Sequence, residues 1–194
     1  MATAKDIFEK YQYDRSASKR SRSWFTQQIS LLRQERVTPR QLLTKKPEDM
    51  RSRILPGHLY MFMYDPKWKD ELPYYDIFPL VFPFAKTPNG FLGLNMHYLP
   101  YPLRVMLLDR LMLYMNNSNM DETTRLRLTY STLRATSRLK LAQPCVKEYL
   151  SSNVMSRFRR IDASDWMTAM LLPVEQFRKA NTSKVWRDSR RNIV

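Results

Sequence analysis

Hydrophobic positions along this chain fall into runs of different period, and the periods predict its elements. His58 to Tyr64 is an apolar, aromatic run opened by Pro56-Gly57 and closed by Asp65-Pro66, the form of a short buried strand. Ile77 to Phe84 is apolar throughout but carries Pro79 and Pro83. Proline lacks the amide hydrogen that a central ladder requires, so this run reads as an edge strand. Phe91 to Leu99 follows Pro88-Asn89-Gly90, where Asn and Gly tolerate positive φ, and the second and third runs are expected to form a hairpin. The predicted fold class is α+β: a small twisted antiparallel sheet or SH3-like partial barrel over about residues 57–99, packed with several helices and flanked by basic N- and C-terminal arms.

Helical spacing takes over on both sides. Ser23 precedes Trp24, Phe25, Ile29, Leu31 and Leu32, whose intervals of three and four place one stripe on a helix ending near Arg36. Thr38-Pro39 opens a short helix through Leu42 and Leu43, stopped by Lys45-Lys46-Pro47. From Tyr101-Pro102 to Met115 the pattern leaves only a narrow polar face of Arg104, Asp109 and Arg110, which predicts a helix buried on most sides. Asp121 and Glu122 supply an acidic first turn to a helix from Thr123 to about Leu141. Its apolar side holds Leu126, Tyr130, Leu133 and Leu141. Arg127, Arg134 and Arg138 make a basic stripe on another side.

Gln143-Pro144 is read as starting a further helix through Val146, Tyr149, Leu150 and Val154, which Arg157-Phe158-Arg159-Arg160 ends in dense positive charge. Ser164-Asp165 caps a short apolar helix from Trp166 to Leu172, Pro173 breaks it, and Val174 to Ala180 adds another turn or two. Lys184 to Arg191 lacks apolar periodicity and reads as a tail that docks by Trp186.

At 194 residues with 43% hydrophobic content the chain holds material for one core. It is expected to be a single domain: a basic helical arm over 1–55, a β core over 56–100, a helical part over 101–180 and a basic tail over 181–194. No apolar run approaches the roughly 20 residues that cross a bilayer, and Met1 to Asp6 has no signal-peptide core, so a soluble, non-secreted protein without a membrane partner is expected. The one cysteine, Cys145, leaves no internal disulfide or cysteine-cluster zinc site and reads as a buried small hydrophobe on a helix.

Charge changes the picture most. The net charge of +15 is far beyond the roughly 2–8 of a small soluble domain, and it sits at the ends: +7 over residues 1–55, −1 over 56–100, +4 over 101–155 and +5 over 156–194. A near-neutral centre with basic flanks suits a polyanion, because each Lys or Arg on a phosphate releases condensed counterions. The phosphate-contact candidates are Lys19, Arg20 and Arg22 in an N-terminal arm; the Arg127, Arg134, Arg138 stripe; Arg157, Arg159 and Arg160, the densest cluster; and Arg187, Arg190 and Arg191 near the C-terminus. Between the first two strands, the loop from Asp65 to Asp76 carries Trp68, Tyr74 and Tyr75. These rings either stack on bases or anchor a protein partner, or they cover the open end of the barrel.

Catalytic readings are thin. Asp65, Asp70, Glu71 and Asp76 with Lys67 or Lys69 invite comparison with a metal-dependent nuclease, but they share one loop with lysines that neutralise them. His58 and His97 face each other across the sheet in one arrangement, yet they lack a third ligand or a nucleophile. No phosphate-binding glycine loop, dinucleotide fingerprint or hydrolase elbow is present, so neither catalysis nor a cofactor is expected.

The strings YMFMYDPKWKDELPYYDIFPLVFPF, GFLGLNMHYLPYPLR, AQPCVKEYL and WMTAMLLPVEQF resemble a small virion structural protein of large contractile-tailed phages of the T-even and marine cyanophage kind. The resemblance spans roughly residues 20–190 and is strongest to their DNA end protector, a head-completion family. It implies a virion protein, present in the host cytoplasm during assembly, that meets other virion proteins, binds the termini of packaged double-stranded DNA and shields them from host exonuclease. The alternative is a tail, neck or baseplate subunit acting through protein contacts alone. In that reading the edge strand with Pro79 and Pro83 pairs with a neighbour.

Overall fold

The computed structural model describes residues 49–115, 117–171 and 175–191. The helices expected over Ser23 to Arg36 and from Thr38 to Leu43 lie outside these, as do Lys19, Arg20 and Arg22.

The central hairpin forms as the turn chemistry predicts: β4 (Leu80–Thr87) returns through Pro88-Asn89 into β5 (Gly90–Asn95). Its surroundings extend well past residues 57–99. β1 (Met50–Arg51), β2 (Leu59–Met61), β6 (Val146–Leu150) and β7 (Phe158–Ile161) complete an antiparallel six-stranded sheet in the order β1-β7-β2-β4-β5-β6. β3 (Tyr75–Asp76) and β8 (Phe177–Arg178) form a separate pair. The fold is α+β as expected; the sheet is open, without barrel closure.

Three expectations are corrected here. β4 is internal, between β2 and β5. Its prolines are tolerated because Pro79 precedes the strand and the pairing register shifts between Pro83 and Ala85, a bulge that removes the demand for an amide donor. Residues 146–150 are a strand rather than a helix, since Pro144 lies in the 3₁₀ turn Lys140–Cys145 and the following residues complete the free side of β5 from Gly90↔Leu150 to Leu94↔Val146. The close approach needs glycine, because a Cβ on Gly90 would lie 1.9 Å from the Tyr149 carbonyl oxygen. Likewise Arg157 to Arg160 do not end a helix: Phe158–Ile161 is threaded between β1 and β2.

Each strand's alternation feeds two cores. Leu59, Met61, Leu80, Phe82, Leu94 and Ile161 face one side, where they meet the helices. There lie α1 (Tyr101–Met115), contributing Leu107 and Leu111; α2 (Glu122–Thr136), contributing Leu133; and α3 (Trp166–Leu171), whose Trp166 packs edge-on to Phe82 with centroids 5.0 Å apart. Asp121 caps α2 by accepting the Thr124 N–H at 2.8 Å. That helix stops at Thr136, short of the expected Leu141. The other side of the sheet is an aromatic cluster of Tyr60, Phe62, Tyr64, Phe91 and Tyr149 joined by Phe158.

The polar face expected on α1 is partly inside out. Arg104 is fully buried, and its guanidinium donates to the Leu99, Met170 and His97 carbonyls at 2.7, 2.9 and 3.2 Å and to the Glu175 carboxylate. Of the segment read as Val174 to Ala180, Phe177–Arg178 is strand β8 rather than helical turns. The C-terminal stretch docks by Trp186 as expected, donating to the His97 carbonyl at 2.8 Å, but it is a helix, α4 (Thr182–Arg191), not a tail. Asn181 accepts the Lys184 N–H at 2.8 Å, and Val185 and Ser189, one turn apart, are the buried positions.

Candidate nucleic-acid interface

The fold sorts the predicted phosphate contacts. Arg127 and Arg134 are exposed on α2, and Arg138 is exposed in the turn that follows it. In the densest cluster, strand alternation sends the side chains apart. Arg159 turns inward, 3.9 Å from Asp49, while Arg160 is half-buried and 3.2 Å from Asp162. Arg157 is exposed and donates to the Met50 carbonyl at 3.0 Å. Two of the three therefore reach solvent, and on different courses. Arg187, Arg190 and Arg191 lie on α4 with Val185 and Ser189 as its buried positions; Arg187 and Arg191 are exposed, and Arg190 holds the Trp186 carbonyl at 3.2 Å. With Lys184 they make α4 strongly basic, relieved by one local pair of Lys184 with Asp188 at 2.8 Å.

The three predicted ring residues come together with residues the sequence did not flag. The loop from Asp65 to Asp76 is pinned at both ends. Asp65 N–H donates to the Asn153 carbonyl at 3.1 Å, and Lys179 Nζ donates to the Asp70 and Leu72 carbonyls at 2.8 and 3.2 Å. Pairing of β3 with β8 holds its far end. Between this loop and the outer strand β6 lies a cavity of about 350 Å³. Trp68, Tyr74 and Tyr75 wall it on the loop side; Lys147 and Tyr149 of β6 and Tyr98 wall it on the other.

Trp68 is 56% exposed at the mouth, with the Lys67 ammonium 4.9 Å from its ring centroid. Tyr74 packs against Tyr98 and Phe177 at 6.1 and 6.4 Å between centroids, so it is fixed in place as the covering role requires while still lining the cavity. Tyr149 and Lys147 were missed because residues 146–150 read as helical, and Tyr98 because it lay in the run Phe91 to Leu99, read as a strand of the core. The available signal was the run Val146-Lys147-Glu148-Tyr149-Leu150, whose one buried side chain, Tyr149, opposes Phe91.

Burial sets the electrostatics. It pushes the Tyr98 and Tyr149 phenols well up, so both stay protonated, and it pushes the Lys147 ammonium down. Lys147 Nζ sits 4.2 Å from the Tyr98 ring centroid. Among the described residues it has no carboxylate or carbonyl partner. Asp76, at the cavity wall, is buried and receives the Phe78 N–H at 3.1 Å and the Asn95 amide at 3.2 Å, with His97 Nδ1 at 2.7 Å. Burial alone would raise its carboxyl; the His97 charge and these hydrogen bonds outweigh that and hold it below the usual carboxylate range. Asn95 also donates to the Tyr149 hydroxyl at 3.0 Å, which ties the network to β6.

Several of the carboxylates and histidines weighed for catalysis are engaged elsewhere in the fold. Asp65 is occupied by Lys69 at 2.8 Å, Asp76 is committed to His97, and among the described residues no group of three or more His, Cys, Asp or Glu could hold a metal ion. His58 does not meet His97: its ring lies against Tyr60 at 6.3 Å, while His97 is wholly buried. No curated protein and no solved structure matches the chain. The family model described as Phage T4 terminal DNA protecting protein matches residues 5–189, and the chain belongs to that family.

Proposed function

We propose that this protein is a non-enzymatic virion component that binds the ends of packaged double-stranded DNA at head completion and protects them from host exonuclease. The observation that carries the reading is the family match over residues 5–189. Two features support it physically. The net charge of +15 gives an attraction to a polyanion that needs no base readout, and α4 carries Arg187, Arg190 and Arg191 within little more than one turn as a compact basic surface. The competing tail or baseplate reading leaned on an edge strand at Pro79 and Pro83, and that strand is internal.

The test is binding of the full chain to linear duplex DNA and to a closed circle of the same sequence across a salt series. Preference for the linear form with a steep salt slope is expected. Replacing Arg187, Arg190 and Arg191 together by Ala should make the slope shallower by about 2–3, since each phosphate left without its cation takes roughly 0.9 off the slope. Equal affinity for line and circle would reduce the function to generic backbone binding. Little binding near physiological salt would assign the charge to a protein partner.

A further inference from the structure

The cavity between the Asp65–Asp76 loop and β6 has a composition that a covering loop does not require. Two cations and two indole or phenol faces are arranged in pairs, Lys67 with Trp68 at the mouth and Lys147 with Tyr98 at the inner wall; of the two carboxylates that also line the space, Asp76 is taken up by His97 and Asn95 and Glu148 is exposed to solvent. Lys147 is half-buried on β6 with its ammonium over the ring of the buried Tyr98, and among the described residues that ring is its one partner. A half-buried ammonium without an anion is partly stripped of water at a cost, and a protein that keeps one beside a cavity gains from it when an anion enters. The rings around it, Tyr74, Tyr75 and Trp68, offer flat faces on which any base stacks. At about 350 Å³ the space is at the small end of ligand sites: one nucleotide fits the scale, a duplex does not. Beyond the mouth the surface continues into an open hollow that shares Lys67, Trp68, Glu148 and Leu150 and adds Asn89, Ser152 and Asn153, an exit for a strand leading away.

We propose that this cavity takes the 5′-terminal nucleotide of one DNA strand, its base stacked among Trp68, Tyr74 and Tyr75 and its terminal phosphate on Lys147. The inference rests on the end-binding reading above and supplies its selectivity. A nucleotide inside a duplex carries chain on both sides and must be unstacked and extruded to enter, at a cost of a few kcal/mol, whereas a frayed end enters phosphate first. The inner cation selects a terminal phosphate, which a 5′ end supplies and an interior position does not. Basic residues elsewhere on the surface hold the duplex; the cavity distinguishes its end.

The experiment measures binding of wild-type, Lys147→Met and Trp68→Ala full chains, by fluorescence anisotropy, to three probes. These are a blunt duplex with 5′-phosphates, the same duplex dephosphorylated, and the same duplex closed by hairpin loops at both ends. Methionine keeps most of the lysine stem's length, still packs on the Tyr98 ring and removes a half-buried charge that has no anionic partner among the described residues, so the fold should hold. Trp68 is exposed and serves as the second variant should Lys147→Met fail to fold. Expected is a loss of about tenfold or more for each variant on the phosphorylated open duplex, unchanged affinity for the closed duplex, and a matching loss for wild type on dephosphorylated ends. If wild type prefers open ends while both variants or dephosphorylation leave that preference intact, the cavity inference is overturned and end binding stands. If wild type binds open and closed duplexes alike, end binding itself fails and the inference falls with it.

Discussion

The buried Arg104 guanidinium offers the sharpest test of how this fold is held together. It joins three segments. From the first turn of α1 it donates to the carbonyls of Leu99 and His97 ahead of the helix, to the Met170 carbonyl in α3 and to the Glu175 carboxylate. Both charged groups are essentially sealed from water, with side chains 0% and 3% exposed. Replacing Arg104 by Met fills much of the volume but leaves the Glu175 carboxylate buried without its cation, a loss of about 3–5 kcal/mol. The Leu99 and Met170 carbonyls each lose a donor as well, at roughly 1–3 kcal/mol apiece where no water replaces it. The His97 carbonyl keeps its bond from Trp186 at 2.8 Å and adds little.

Methionine's apolar burial offsets part of this, leaving a net loss of about 4 kcal/mol. At roughly 2–4 °C per kcal/mol for a chain of this size, the melting midpoint should fall by about 8–16 °C. Thermal and urea denaturation followed by circular dichroism measure both quantities. The double variant Arg104→Met with Glu175→Leu should recover a large part of the loss, because removing both members of a buried pair is milder than orphaning one. A single-variant loss under about 1 kcal/mol, or a double variant no more stable than the single, would refute the reasoning.

Two further outcomes follow from the buried titratable groups. The folded Asp76 carboxyl lies below its reference of 3.8, so its contribution is fully present above that pH and disappears as pH falls toward the depressed folded value. Asp76→Asn should therefore be less stable than wild type at neutral pH, with the gap closing below about pH 3.8; urea midpoints across an acid series measure this, and a gap independent of pH would count against it. Burial pushes the Cys145 thiol up to about 12, and the side chain is fully enclosed, so a disulfide-exchange reagent should leave the native protein unmodified and label it fully in denaturant. Rapid labelling of the native protein would show that the turn at Lys140–Cys145 opens.

Legibility in the sequence followed the distance along the chain to each element's partner. The β4–β5 hairpin was visible because Pro88-Asn89-Gly90 decides it within a few residues, and the Asp121 cap and the α1 span are equally local. β6 and β7 were not, because nothing within Val146-Lys147-Glu148-Tyr149-Leu150 or Phe158-Arg159-Arg160-Ile161 excludes a helix. What decides them is a partner far away: β5 leaves a free edge that 146–150 fills, and β2 offers the other side to 158–161. Arg104 deceived for the same reason. On a helical wheel it belongs to the polar face, and only the arrival of Met170 and Glu175 makes that face an interior. In the site, Trp68, Tyr74 and Tyr75 were legible as rings in a charged loop. Lys147 and Tyr149 became part of it only once β6 was a strand, which sets Lys147 over the Tyr98 ring.

The hub and the cavity are also one structure. Arg104 donates to the His97 carbonyl, His97 reaches Asp76 at 2.7 Å, and Asp76 with Asn95 stands in the cavity wall beside Tyr149. The cavity is thus assembled from three separate stretches, the Asp65–Asp76 loop, Asn95 to Tyr98 and β6, each tied to the others by buried hydrogen bonds rather than by chain continuity. A site of that construction is rigid before any ligand arrives, so little of the binding free energy is lost to ordering it. It also follows that variants of the hub and variants of the cavity should separate cleanly: Arg104→Met lowers stability and weakens binding to open and closed duplexes together, whereas Lys147→Met leaves stability intact and weakens only the open-end complex.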